Sequence, residues 1–147
     1  MLEEGRWFLT RPEEVGPIDA KIRAIRDAAA PGARGAVLVA RAADGIVGFL
    51  TLAPPPPRRM RHIVYLEVVV AAPARGQGTG RALVDAGIAW ATAHPEVTRI
   101  ALSVFADNPR AVALYERAGF VVEGRRAKVA RMEDGSFRDD VLMARPV

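Results

Sequence analysis

The chain has no cysteine, only two histidines, His62 and His94, and two lysines, Lys21 and Lys128. Without cysteine there is no disulfide, thiol nucleophile or thiolate metal site, and two histidines alone argue against zinc, so no metal is expected. No apolar run approaches the ~20 residues needed to cross a bilayer, and Met1-Leu2-Glu3-Glu4 carries neither a basic nor an apolar leader segment. The expectation is a soluble cytoplasmic protein with no membrane partner. Basic stripes interleaved with aromatics are also missing, which argues against nucleic acid as a partner.

What remains is ordinary globular material. The 147 residues are 50% hydrophobic and 26% charged, and at ~150 residues per domain they predict one domain over 1–147. Twenty-one bases against seventeen acids give a net charge of +4, which favours anionic partners without naming one.

Periodicity orders the chain. Ile18, Ile22, Ile25 and Ala29 share one face of a helix expected over Asp19 to Ala30, with Pro31-Gly32 stopping it; a strand around Arg6 to Thr10 is weaker. Ala36 to Arg41 and Ile46 to Leu52 flank Asp44-Gly45 as a hairpin. Pro54 to Pro57 cannot donate to a sheet and form a stiff connection. His62 to Val70 is apolar on both parities apart from His62 and Glu67, as a central strand covered on both faces would be. Gly80, Leu83, Val84, Gly87, Ile88 and Ala91 line a helix over Gly78 to Ala93, ended by Pro95. A strand over Arg99 to Phe105 follows. Asn108 then caps a helix with Pro109 at its first position, Ala111, Leu114, Tyr115 and Ala118 form its stripe, and Gly119 stands just past its end. Short strands are expected near Phe120 to Glu123, Val129 to Met132 and Asp140 to Ala144, the last two joined through Asp134-Gly135. The order predicts an α/β fold with a mixed sheet.

The most informative segment is Arg75-Gly76-Gln77-Gly78-Thr79-Gly80-Arg81, between a strand and a helix start. Alternating glycines let successive N–H groups point into one concavity, and the helix N-terminus adds partial positive charge, which suits phosphate oxygens. Arg75 and Arg81 can add charge-assisted bonds. The dinucleotide fingerprint fails because Arg81 stands where its third glycine belongs, and the Gly-Lys-Ser/Thr of the P-loop is absent. A plain glycine-rich turn with solvated arginines is the structural alternative.

The same segment fits the [Gln/Arg]-x-x-Gly-x-[Gly/Ala] signature of the GNAT superfamily of N-acetyltransferases. Val68-Val69-Val70 resembles that family's fourth strand. Val104 to Ala111 and Leu114-Tyr115-Glu116-Arg117-Ala118-Gly119-Phe120 resemble its next strand and helix, and Asp134-Gly135-Ser136 with Leu142-Met143 its last hairpin. The resemblance spans about Ala36 to the end and implies a mixed, mainly antiparallel GNAT-type sheet flanked by helices, with splayed central parallel strands. It also implies acetyl-CoA as co-substrate, its diphosphate held by the amides of Gly76, Gln77, Gly78, Thr79 and Gly80 with Arg81, and its pantetheine arm paired with the backbone of Val68 and Val70. Asn108 and Tyr115, seven residues apart on one helix face, would contact the coenzyme and reach its sulfur. For Asn108 the plainer role is the cap alone; for Tyr115 it is a core aromatic.

Acetyl transfer requires an amine that loses a proton and a departing thiolate that gains one or is hydrogen-bonded. Tyr115 resembles the family's general acid. Glu67, a lone carboxylate in Tyr65-Leu66-Glu67-Val68-Val69-Val70, is the candidate base on the ground that burial raises a carboxyl's proton affinity; a structural carboxylate paired with an arginine is the alternative. His62 reads as a surface residue, His94 as a helix-end residue, and Arg58, Arg59 and Arg61 as a solvated loop. The carboxyl half resembles members that acetylate amino acids and other small amines. Peptide or ribosomal-protein amino termini, a non-catalytic acyl-CoA-binding module and a nucleic-acid-binding module are the alternatives, and a homodimer stays open.

Overall fold

The computed structural model describes Asp27, residues 34–43 and residues 45–147. The expected strand around Arg6 to Thr10 lies outside these residues, as does the expected helix from Asp19 to Ala30 apart from Asp27. The described strands are β1 (Ala36–Ala42), β2 (Gly45–Ala53), β3 (Ile63–Val70), β4 (Arg99–Phe105), β5 (Val121–Arg131) and β6 (Phe137–Pro146), and the helices are α1 (Thr79–Ala93) and α2 (Pro109–Arg117). The strands form one sheet in the order β1-β2-β3-β4-β6-β5. Every neighbouring pair is antiparallel except β3 and β4, which run parallel. The expected mixed, mainly antiparallel sheet is therefore present, with β3 inside it.

Local chemistry accounts for the element ends. Gly45 takes a φ of 131° in the β1–β2 hairpin, a conformation only glycine adopts cheaply. The four prolines give way to a 3-10 turn over Arg58–Met60 that leads into β3. Asn108 accepts a hydrogen bond from the Ala111 amide at 3.1 Å, Pro109 occupies the first helical position, and Gly119 exits with a φ of 85°. The β5–β6 turn is held by Ser136, whose amide donates to Asp134 Oδ1 at 2.9 Å.

One face of the sheet carries the core. Leu50 and Leu52 of β2, Val64 and Leu66 of β3, Ile100 and Leu102 of β4 and Met143 of β6 pack with Leu83, Val84 and Ala91 of α1 and with Tyr115, Ala118 and Phe120. Close approach of α1 depends on Gly87, where a Cβ would meet Leu50 Cδ2 at 3.0 Å. At the start of α1, Leu114 Cδ2 and Val70 Cγ2 both come to 3.7 Å from the position a Gly80 Cβ would take. β3, α1 and α2 thus converge at Gly80, at ordinary van der Waals spacing.

Two expectations are corrected. The strands expected near Phe120 to Glu123 and Val129 to Met132 are the two ends of one strand, β5, whose pairing with β6 slips between Val122 and Gly124 and between Arg126 and Ala130. Gly124, Arg125 and Arg126 hide the alternation, yet the middle stays paired because Arg125 and Arg126 bond to Asp139 and Asp140 across the ladder. The Lys128 amide donates to Asp139 Oδ1 at 2.9 Å, at a residue with a φ of 55°. Nor is β3 covered on both faces along its length: Val64 and Leu66 are buried, whereas Tyr65 is 46% exposed and Glu67 is exposed.

The tight β2–β3 contact makes Gly48 a stability test. A Cβ there would stand 2.9 Å from the Val69 carbonyl oxygen and 3.2 Å from Leu83 Cδ1, and the first of these is backbone that cannot swing away. Gly48→Ala is expected to lower unfolding stability in urea by about 1–3 kcal/mol. Gly124→Ala, whose Cβ would meet nothing within 4 Å, should match or slightly exceed the parent. Equal midpoints for the two variants would show that the β2–β3 packing is looser than described.

Candidate active site

The site begins where a strand pairing ends. Between β3 and β4 only Ile63, Val64 and Tyr65 find partners, in Arg99, Ile100 and Ala101. Parity shows which backbone groups face the resulting gap. The His62 carbonyl accepts from the amides of Thr98 and Arg99, and the Ala71 amide donates to Val47 at the start of β2. Even-numbered residues of β3 therefore turn their backbone polar groups toward β4 and odd-numbered ones toward β2. Val68 and Val70 are even, so their N–H and C=O groups face the gap with no strand partner among the described residues. The Val70 carbonyl accepts from Arg75 Nε at 2.9 Å.

A crevice of about 940 Å³ opens along this gap. Its walls include Tyr65 to Val70, Leu102 to Phe105, Arg75, Gly76, Gly78, Gly80 and Arg81 of the loop, and Asn108, Leu114 and Tyr115. The loop bends as the glycines require. A 3-10 turn over Ala72–Ala74 precedes it, Gly76 and Gly78 have φ values of 80° and 85°, and Gly78 caps α1. The side chains of Arg75 and Gln77 brace it from within, Gln77 Nε2 donating to the Pro73 carbonyl at 2.8 Å.

Of the twelve residues expected at the site, ten line the crevice: Glu67, Val68, Val70, Arg75, Gly76, Gly78, Gly80, Arg81, Asn108 and Tyr115. Gln77 and Thr79 instead line a neighbouring hollow beside Ala40 to Ala42 of β1. Arg81 is held by Asp85, Nε to Oδ2 at 2.7 Å, and by the Arg117 carbonyl. Asn108 Oδ1 serves the helix as a cap. The walls also contain residues that periodicity did not single out: Ser103, Arg110, Arg117 and Asp140. Asp140 is only 2% exposed and bonds Arg126 through both carboxylate oxygens. Its signal in the sequence was a charge inside an apolar strand, masked by its neighbour Asp139.

Tyr115 is 7% exposed, with its ring edge-on to Phe120 at 5.7 Å. Burial, and secondly the negative charge of Glu67, push its phenol up from 10 to about 12, since both disfavour a phenolate. Glu67 itself is exposed. The burial on which its expected proton affinity rested is therefore absent; what places it at the site is the crevice it shares with Tyr115. His62, Arg58, Arg59 and Arg61 are exposed and do not line the crevice. His94 ends α1 and packs on Trp90 at 5.0 Å. Among the described residues no group of acids and histidines could hold a metal ion, and no helix is long and apolar enough to cross a membrane.

This arrangement has counterparts. The Acetyltransferase (GNAT) family model matches residues 3–120, and the chain belongs to that family. It is 32% identical over 108 residues to the L-amino acid N-acetyltransferase AaaT of Escherichia coli (strain K12), a match covering 74% of this chain and 66% of that relative. The chain thus spans just under two thirds of that relative's length. Among solved structures it is similar to the ribosomal-protein-alanine N-acetyltransferase from Brucella melitensis, at 26% identity and a TM-score of 0.83, covering 95% of this chain and 85% of that one. A phosphinothricin acetyltransferase from Sinorhizobium meliloti, solved in complex with AcCoA, shares the fold at 23% identity and a TM-score of 0.81, covering 95% of this chain and 75% of that one.

The phenol gives a direct readout. Ultraviolet titration should show a tyrosine ionising at about pH 12, and Tyr115→Phe should remove that step. Glu67→Gln should move it downward but leave it above the usual value, because burial is the larger cause. The unfolded chain loses this proton first, near pH 10, so the contribution of Tyr115 to stability is complete below pH 10 and is lost as pH rises through about 12. A Tyr115 step at its ordinary position would contradict the burial described.

Proposed function

We propose that this protein is an acetyl-CoA-dependent N-acetyltransferase that acts on the primary amine of a small molecule such as an amino acid, by direct attack in a ternary complex. The observation that carries the reading is the unpaired stretch of β3 and β4, with a glycine loop at one end and Tyr115 and Glu67 alongside. The residues present fit acetyl-CoA: the backbone of Val68 and Val70 offers an edge to an extended amide-bearing arm, and the loop amides from Gly76 to Gly80 offer donors to a diphosphate. When bound, acetyl-CoA supplies the activated acyl group.

The chain's own residues do the rest. The exposed carboxylate of Glu67 accepts the proton of the attacking amine, directly or through water. Tyr115 keeps its proton throughout the neutral range and directs it toward the departing sulfur. Neither residue forms a covalent intermediate, in keeping with a chain that has no cysteine. The amino-acid reading draws on the curated relative; the Brucella melitensis neighbour supports peptide amino termini as the second reading.

A thiol-release assay across amino acids, polyamines, aminoglycosides and short peptides tests both. Turnover with a free amino acid and little with peptides is expected; the reverse selects the second reading, and coenzyme binding without turnover on any amine would leave a non-catalytic module. Tyr115→Phe should lower kcat by about 100-fold or more, with little change in KM for the acetyl donor. Glu67→Gln should abolish the acidic limb of the kcat/KM profile, and an intact limb would remove Glu67 from the base role.

A further inference from the structure

The crevice carries four arginines, and they are not equivalent. Arg75 spends its Nε on the Val70 carbonyl. Arg81 is tied to Asp85 and to the Arg117 carbonyl. Arg117 stands at the far end of α2. Arg110, in the first turn of α2, is exposed and has no hydrogen-bond or ion-pair partner among the described residues. It also reaches the glycine loop from another element: its Nη2 lies 3.3 Å from where a Cβ on Gly76 would stand.

We propose that Arg110 is a second jaw of the phosphate site, closing on the diphosphate of the coenzyme from α2 while the amides of Gly76 to Gly80 hold it from the loop. The inference rests on the acetyl-CoA reading above and goes beyond it by assigning a binding residue outside the glycine signature. The charge argument is simple. A diphosphate cradled by neutral amides keeps uncompensated negative charge, and a guanidinium is the side chain suited to pair with it at two points. Arg75 and Arg81 already have partners that a phosphate would have to displace; Arg110 has none to give up.

Placement on α2 has a consequence for Gly76. A side chain there would be strained by its φ of 80° and would press on the Arg110 guanidinium. Glycine at 76 is required by the bend of the loop, and the Arg110 guanidinium lies beside that bend. Since Tyr115 follows Arg110 on the same short helix, the contact that recognises the phosphates also fixes the helix that presents the phenol.

The test is binding, so it does not depend on the acceptor. Wild type, Arg110→Ala, Arg110→Lys and a charge control, Arg131→Ala at the distant end of β5, are titrated with CoA, dephospho-CoA and pantetheine, by calorimetry or by ligand-observed NMR where affinity is low. Loss of a charge-assisted contact predicts about 10-fold or more weaker binding of CoA and dephospho-CoA to Arg110→Ala. Pantetheine binding should be unchanged, Arg110→Lys should fall between, and Arg131→Ala should match wild type. A deficit seen with CoA but absent with dephospho-CoA would assign Arg110 to the 3′-phosphate and overturn the diphosphate contact. An equal deficit with pantetheine, or none with any ligand, would also overturn it. Failure of wild type itself to bind CoA would sink the acetyl-CoA reading instead, a result distinct from all of these.

Discussion

The parallel pairing of β3 and β4 stops after three residue pairs, and the rest of the site depends on that stop. Backbone N–H and C=O groups are obligatory hydrogen-bonding groups, so Val68 and Val70 present an interrupted ladder that an extended ligand can complete. The gap also connects the two faces of the sheet. Tyr115 belongs to the buried face with Leu66, Leu102 and Met143, while Glu67 stands on the opposite, exposed face. In a continuous sheet the strand backbone would separate them. Here they line one crevice, and Glu67 is close enough for its charge to act on the phenol.

What holds the gap open is ordinary packing. β3 is fixed to β2 over six residue pairs and β4 to β6 over seven, so each strand has one secure edge and can leave the other free. Leu114 of α2 and Val70 of β3 both pack beside Gly80 in the first turn of α1. Polar bonds tie these parts together as well: Arg75 Nε donates to the Val70 carbonyl at the end of β3, and Arg81 at the start of α1 bonds the Arg117 carbonyl of α2.

Much of this was readable in the residues, and the exceptions have physical causes. Asn108-Pro109, Gly119 and Gly45 act through local backbone preferences, and the helix and the hairpin they punctuate occur where they predict. β4 matches its expected limits because its alternation is intact. β5 was read as two pieces because its middle is stabilised by cross-strand ion pairs, which leave no apolar period to detect. The exposure of Glu67 was hidden for a different reason: Val68, Val69 and Val70 continue the apolar run on both parities, yet only the even positions pack against the helices. Arg110 was invisible to any one-dimensional reading, since its relation to Gly76 is a contact across 34 positions of chain.

The acid–base assignment gains from a comparison of magnitudes. A phenol at about 12 is a much weaker acid than a thiol, whose ordinary value is ~8.5. Complete proton transfer from Tyr115 to a fully formed thiolate would therefore run uphill by roughly 5 kcal/mol. In the proposed acid role, such a phenol would be better matched to stabilising the developing sulfur anion by hydrogen bonding than to surrendering its proton early. Glu67 can adjust that balance. Its negative charge is the smaller cause of the raised phenol, after burial. In the proposed base role, proton uptake at Glu67 would make Tyr115 a stronger acid by removing the smaller of the two causes that raise it. The two residues are thus coupled through the field in the crevice they share between β3 and β4.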